Sequence, residues 1–127
     1  MLLKKIILRN QDAFENTIAS WAEKQNIPVA FFDGKESLTD LVESLVILHE
    51  DYNISRENKD LRELLESHHK SAHQVDINAT MSASAGSLKF WLENNKPKNV
   101  LISGDPSLTK NVRLTTFLEK LEQTLKG

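Results

Sequence analysis

The amino-acid sequence predicts a three-layer α/β/α sandwich of Rossmann-like type, with a mainly parallel sheet of about four strands. Short apolar runs alternate along the chain with segments whose apolar residues recur at helical spacing. Strands that alternate with helices require right-handed crossovers, which place helices on both faces of a parallel sheet. With 127 residues, 39% of them hydrophobic, the chain is long enough for one core. We therefore expect a single α/β domain over residues 1–127.

The first half of the chain contains two predicted strands and three predicted helices. Asp12 and Glu15 form a D-x-x-E pair, which is typical of a helix start, and Ser37 and Ser55 are further candidate caps. In chain order, the elements are a strand at Leu3–Leu8, a helix from Asp12 to Gln25, a strand at Val29–Phe32, a helix over Leu38–Leu48 and a helix from Ser55 to Leu65.

The second half adds two strands and two helices. Pro97 ends the first of these helices, and Asp105 with Pro106 starts the second. In chain order, the elements are a strand at Gln74–Ile77, a helix carrying Leu88, Trp91 and Leu92, a buried strand at Val100–Ile102 and a helix carrying Leu114, Phe117, Leu118, Leu121 and Leu125.

Composition excludes several classes of protein. The 16 basic and 18 acidic residues give a formal charge of -2, which argues against a general polyanion binder. The absence of cysteine excludes disulfides, thiol nucleophiles and cysteine zinc sites. No apolar run approaches the roughly 18 residues of a membrane span, and the first residues are too quickly charged for a signal peptide. We expect a soluble, cytoplasmic protein with no membrane partner.

Acidic residues follow three of the predicted strands. Asp33, Asp76 and Asp105 would converge at one edge of the sheet if their strands were neighbours. Clustered carboxylates favour a hard cation such as Mg²⁺, and a bound metal can activate water against a phosphodiester. The alternative is that Asp33 opens a turn, Asp76 is solvated and Asp105 only caps a helix.

The segments around these acids resemble the active-site strands of PIN and NYN ribonuclease domains. The resemblance covers Val29–Gly34, Gln74–Ile77 and the stretch from Val100 to Leu108, in the family's order. It implies a metal-dependent nuclease acting on RNA or a nucleotide phosphodiester, with Mg²⁺ or Mn²⁺ bound by Asp33, Asp76 and Asp105.

The resemblance also implies a fourth acid on an intervening helix, which is Glu66 or Glu63 here. Two features depart from the family pattern. A β-α unit precedes the first acidic strand, and Ser107 stands where a further acid often follows the last Asp. The alternative function is therefore a non-catalytic module that binds a nucleotide, a phosphate or another protein.

A small, hydroxyl-rich stretch runs from Asn78 to Ser87, between a strand and a helix. A helix N-terminus with nearby hydroxyls can hold phosphate. The stretch lacks both the Walker A pattern and the dinucleotide fingerprint. The alternative is that it is only a helix start packed closely on the sheet. The candidate phosphate-binding residues are Thr80, Ser82, Ser84, Gly86, Ser87 and Lys89.

Three histidines and one apolar segment leave further alternatives open. His69 and His73 are four residues apart, so on one helix they would face a common metal, and any of His68, His69 and His73 is a candidate general base. The alternative is a set of solvated residues at a helix end. The helix over Leu38–Leu48 carries extra apolar residues, which predicts burial on two sides, in the core or at a homodimer interface.

Overall fold

The computed structural model describes residues 2–126 and contains a five-stranded, all-parallel sheet. The strands lie in the order β2-β1-β5-β3-β4. The predicted Rossmann-like α/β fold is confirmed, with five strands in place of about four. The strands are β1 (Ile6–Leu8), β2 (Val29–Phe31), β3 (Ser44–His49), β4 (Ser71–Asp76) and β5 (Val100–Ser103).

Helices cover both faces of the sheet. Their bounds are α1 (Ala13–Lys24), α2 (Leu38–Leu41), α3 (Arg56–Ser67), α4 (Met81–Asn95) and α5 (Arg113–Lys126), with a 3-10 helix at Pro106–Lys110. The larger core lies between one face of the sheet and α1, α4 and α5, with Phe14 and Phe117 fully buried. The smaller core lies under α2 and α3, where Leu61 and Leu65 contact the other face. None of the helices within residues 2–126 is long and apolar enough to cross a membrane.

The prediction of a helix over Leu38–Leu48 is wrong. Only Leu38–Leu41 is helical, and Ser44–His49 forms β3, whose six residues are all buried. A strand with a core on each face requires a continuous apolar run, and this strand has Ile47 in one core and Val46 in the other. Burial within the sheet accounts for the extra apolar residues, so the argument for a homodimer interface loses its basis.

Local capping follows the sequence closely. The Asp12 side chain accepts a hydrogen bond from the backbone of Glu15 at 2.9 Å, and Ser55 accepts one from the backbone of Asn58 at 3.2 Å. Asp105 and Pro106 do begin a helix, which is the 3-10 helix. Ser37 precedes α2 without a side-chain cap, because its hydroxyl bonds that of Thr39. These turns place polar residues along the edge where the strands end.

Candidate functional site: a polar cleft at the carboxyl edge of the sheet

The chain leaves β5 and β3, two neighbouring strands, towards opposite faces of the sheet. The 3-10 helix after β5 packs on the face with α1, whereas α3, after β3, packs on the other face. Ligands of open α/β sheets bind in the crevice that such a divergence creates, outside the carboxyl ends of the strands. A ligand site is therefore expected at the carboxyl ends of β5 and β3.

A cleft of about 70 Å³ lies at this position. We call it the central cleft. It is formed by the ends of β1 and β5, the first turn of α3 and the start of the 3-10 helix. Its lining residues are Arg9, Asn10, Asp12, Ser55, Glu57, Asn58, Ser103, Gly104, Asp105 and Pro106.

A chain of hydrogen bonds organises the polar side of the central cleft. A terminal nitrogen of Arg9 donates to Ser103 Oγ at 3.2 Å, and that hydroxyl donates to Asn58 Oδ1 at 2.6 Å. The Asn58 amide in turn reaches Asp105 Oδ1 at 3.4 Å. Ser103 and Asn58 are buried, so this network holds Arg9 and Asp105 in place from beneath.

Arg9 is the principal cation of the central cleft. Its side chain is 15% exposed, and its terminal nitrogen lies 3.6 Å from a carboxylate oxygen of Glu57, which is 67% exposed. Its Nε atom is buried and has no hydrogen-bond partner among residues 2–126. The guanidinium thus retains a donor that its own chain does not use.

Glu15 closes the loop between β1 and α1. Its side chain is 1% exposed, and one carboxylate oxygen accepts hydrogen bonds from the backbone nitrogens of Arg9, Asn10 and Gln11 at 2.9, 2.7 and 3.0 Å. Successive backbone N–H groups of this kind form an anion-binding concavity. The sequence indicated Glu15 only as part of a helix cap. No sequence pattern predicted that its carboxylate would bond the backbone of the loop.

The predicted acidic site is spread across the sheet. Asp33 follows β2 and Asp76 ends β4, and these are the two edge strands, whereas Asp105 follows the central β5. At about 4.8 Å per strand, the two edge strands are separated by about 19 Å. The described residues contain no group of three or more His, Asp or Glu that could hold a metal ion. The three acids therefore do not come together as the sequence analysis expected.

Each of these acids has a local partner. Asp33 accepts a hydrogen bond from the Lys35 backbone at 2.9 Å, which is a turn contact, and Asp76 accepts from the backbones of Asp51 and Asn78 at 3.1 and 2.9 Å. The fourth candidate, Glu66, is exposed and pairs with Arg62 at 3.6 Å. It lies in the last turn of α3, at the end of that helix away from the central cleft.

The hydroxyl-rich stretch forms the first turns of α4, beside the edge strand β4. Thr80 precedes the helix without a side-chain cap, and Ser84 Oγ donates to the backbone oxygen of Asp76 at 3.0 Å. Ser82 is exposed and Gly86 is partly buried within the helix. Ser87 lies 3.4 Å from a ring nitrogen of His73, and Lys89 follows it two residues later in α4. The stretch is separated from the central cleft by β3.

His69 and His73 do not lie on one helix, so the condition for a metal site shared by the two is not met. His68 caps the end of α3, His69 has a positive φ of 62°, and His73 lies within β4. His73 stacks on Trp91, with the ring centroids 5.4 Å apart, and burial lowers the pKa of the His73 imidazole. The three histidines therefore do not form a common metal site.

His49 is a buried histidine that the sequence analysis did not single out. Its Nδ1 accepts a hydrogen bond from the backbone nitrogen of Tyr52 at 3.0 Å, and burial lowers the pKa of the imidazole, an effect opposed by Asp76 and Asp51. Asp51 and Tyr52 both have positive φ, so they form a strained turn. This turn leads directly into α3. His49 lacked a signal because its strand was predicted as part of a helix.

Comparisons with known proteins add the fold. No protein-family model and no curated protein matches the chain. The crystal structure of a "putative molybdenum carrier protein" from Syntrophus aciditrophicus is similar over 99% of this chain and 96% of that chain, with a TM-score of 0.66 and 14% sequence identity. At that identity the likeness supports the Rossmann-like α/β architecture and transfers no ligand to this chain.

Proposed function

We propose that this protein is a non-catalytic binding module for a small phosphate-bearing ligand such as a nucleotide, held in the central cleft. One observation carries the proposal: the Arg9 guanidinium lies in the cleft at the divergence of β5 and β3, with its Nε buried and unpartnered within the described chain. A planar guanidinium with a free donor is suited to phosphate oxygens.

The backbone around Arg9 supports the same chemistry. Ser55 lines the central cleft as the cap of α3, so the first N–H groups of that helix lie at the cleft wall. Helix N-termini favour anions through these free donors and through the helix dipole. Asp105, which also lines the central cleft, offers a carboxylate acceptor of the kind that bonds sugar hydroxyls. Together the cation, the helix N-terminus and this carboxylate suit a phosphorylated sugar.

The carboxylates of the central cleft are consistent with this proposal because each has a partner of its own. Asp12 caps α1, and Asp105 accepts from the Asn58 amide. The partner of Glu57 is Arg9 itself, and because Glu57 is mostly exposed, their contact is a surface ion pair. A phosphate would take the place of Glu57 on the guanidinium. The metal-dependent ribonuclease remains a separate proposal, which rests on the family resemblance.

The test is a binding measurement with ribose 5-phosphate, compared with ribose and with inorganic phosphate. We expect ribose 5-phosphate to raise the melting temperature of the wild-type protein by mass action, and ribose to have no effect. Arg9→Gln should abolish the increase. The matched control is Arg56→Gln, which removes an exposed arginine paired with Asp60 outside the cleft lining. Equal stabilisation by ribose, or an unchanged response in Arg9→Gln, would overturn the proposal.

A further inference from the structure

A second concave surface lies between α1 and α5, on the face of the sheet opposite α3. We call it the helix groove. Its volume is about 500 Å³, within the range of small-molecule sites, and it shares no lining residue with the central cleft. Its lining residues are Asn16, Thr17, Ser20, Trp21, Lys24, Gln25, Thr115, Leu118, Glu119 and Glu122.

Two residues that line the helix groove each have a buried polar side-chain atom without a hydrogen-bond partner in the described part of the chain. Trp21 Nε1 and Gln25 Oε1 are both buried and unpartnered among residues 2–126. The two residues are four apart on α1, so they lie on the same side of that helix. A buried polar group without a hydrogen-bond partner is destabilising, so two such groups on one side of a helix favour a ligand that bonds to them.

The two atoms are complementary in type. The indole N–H of Trp21 is a donor only, and Gln25 Oε1 is an acceptor. Glu122, which also lines the groove, accepts a hydrogen bond from Lys126 Nζ at 3.0 Å, and this bond lowers the pKa of its carboxyl group. The two residues therefore provide one donor and one acceptor from the same side of α1.

We propose that the helix groove binds a neutral, planar heteroaromatic ring that carries a hydrogen-bond acceptor next to a donor. An amino-substituted ring nitrogen, as in adenine, or an aromatic carboxamide, as in nicotinamide, has this edge. The Trp21 ring supplies an apolar face for stacking. Glu119 and Glu122 outnumber Lys24 in the lining, which disfavours an anionic ligand. Both Trp21 and Gln25 are partly buried residues, so rotation of the flexible Gln25 side chain admits the ligand edge.

The experiment follows the indole N–H signals by NMR. The chain has two tryptophans, and Trp91→Phe assigns the Trp21 signal. Adenine and nicotinamide are the probes, and purine and methyl nicotinate are their neutral comparisons, which lack the donor. We expect adenine and nicotinamide to move the Trp21 signal saturably, and their comparisons to bind about tenfold more weakly, as one lost hydrogen bond predicts.

Two variants test the edge recognition. Gln25→Met keeps the size of the side chain and removes the acceptor, so the affinity for adenine should fall about tenfold. Glu23→Gln, an exposed change on α1 outside the groove lining, should leave the affinity unchanged. Three results would overturn the proposal: no movement of the Trp21 signal with millimolar adenine or nicotinamide, equal binding of adenine and purine, or movement with protein concentration alone. The last result would mean that a second copy fills the groove.

Discussion

Glu15 and Arg9 are joined by a hydrogen bond of 2.9 Å, in which the backbone nitrogen of Arg9 donates to the buried carboxylate of Glu15. The same oxygen accepts from the next two backbone nitrogens, so the β1–α1 loop surrounds an anion that belongs to the protein itself. In Rossmann-like folds this loop commonly holds the phosphate of a ligand. The phosphate that we propose for this protein would instead contact the side chain of Arg9, which lines the central cleft.

The first prediction concerns the stability that Glu15 contributes. Glu15→Ala should lower the free energy of unfolding by about 3 kcal/mol, because three backbone donors lose a charged acceptor. Glu15→Gln retains an acceptor oxygen and should cost about 1 kcal/mol. Urea denaturation monitored by circular dichroism measures both values. Equal losses for the two variants would mean that side-chain packing, and not the hydrogen bonds, is what Glu15 provides.

The second prediction compares two glycines. A Cβ at Gly104 would lie 2.8 Å from a ring carbon of Phe14 and 2.9 Å from a methyl carbon of Leu108, so Gly104→Ala should destabilise the protein by about 1–3 kcal/mol. Gly86, within α4, has open space around its Cβ position. Gly86→Ala should stabilise by about 0.5–1 kcal/mol through helix propensity.

Melting temperatures of the two alanine variants, measured side by side, check this pair. The prediction fails if Gly104→Ala melts with the wild-type protein, since Phe14 and Leu108 would then accommodate the methyl group. It also fails if Gly86→Ala melts lower than the wild type.

The fold was more predictable from the sequence than the site. The apolar runs at Val29 and Val100 predicted strands because turn or helix-start residues lie close to their ends. The run at Leu45–Leu48 was wrongly predicted as helix, because its spacing continues the apolar pattern of Leu38 and Leu41. Periodicity alone does not separate a helix from a strand that is buried on both faces. The decisive fact is the position of β3 inside the sheet, which depends on the other strands.

The site depends on strand order, which local patterns do not encode. Arg9 and Ser103 are 94 residues apart in sequence and meet because β1 and β5 are neighbours. Asp33 and Asp76 have equally clear positions after strands, yet their strands occupy opposite edges of the sheet. Asp105 was predictable as a helix start, whereas its contact with Asn58 required the packing of α3. The sequence thus predicts the local roles of single residues, such as turns and helix starts, but it does not predict which of these residues lie close together in the fold.

The third prediction concerns pH. Burial lowers the pKa of His49 below its ordinary 6.5, against the opposing charges of Asp76 and Asp51, and burial lowers the pKa of His73 as well. The unfolded chain therefore takes up these protons before the folded chain does. The stability that the two neutral imidazoles contribute should be fully present above pH 6.5, and it should decrease as the pH drops towards their folded pKa values.

His49→Gln separates the two contributions. Protonation of His49 Nδ1 would also end its hydrogen bond with the Tyr52 backbone, so this variant should show a shallower loss of stability below pH 6.5 than the wild type. His68→Gln, at the exposed end of α3, is the control and should keep the wild-type slope. An unchanged slope in His49→Gln would assign the effect to other groups.

The fourth prediction addresses divalent metals and thereby the nuclease proposal. Because Asp33, Asp76 and Asp105 lie on strands that are not neighbours, we expect Mg²⁺ and Mn²⁺ to leave the melting temperature as it is in EDTA. The melting temperature of Asp105→Asn should likewise be the same with either metal as in EDTA. Metal-dependent stabilisation that disappears in Asp105→Asn would contradict this expectation and would favour the ribonuclease, whose test is then RNA cleavage by the wild type and the variant.

The fifth prediction concerns the competition for Arg9. Glu57 is 67% exposed and lies 3.6 Å from the guanidinium, so its ion pair contributes at most about 1 kcal/mol to stability. Glu57→Gln removes a carboxylate that a phosphate must displace and that repels it. We therefore expect a several-fold higher affinity for ribose 5-phosphate, with a melting temperature close to that of the wild type.

Isothermal titration at low and high salt measures this effect. The gain from Glu57→Gln should shrink as salt screens the carboxylate. Glu63→Gln, an exposed change on α3 outside the cleft lining, removes the same charge from the protein and should leave the affinity nearly unchanged. If Glu57→Gln instead weakens binding, the carboxylate contacts the ligand, and the central cleft selects a group that donates hydrogen bonds or carries positive charge. Since Arg9 and Glu57 both line the cleft and form an ion pair there, the sign of this change distinguishes an anion site from a site for a polar or cationic ligand.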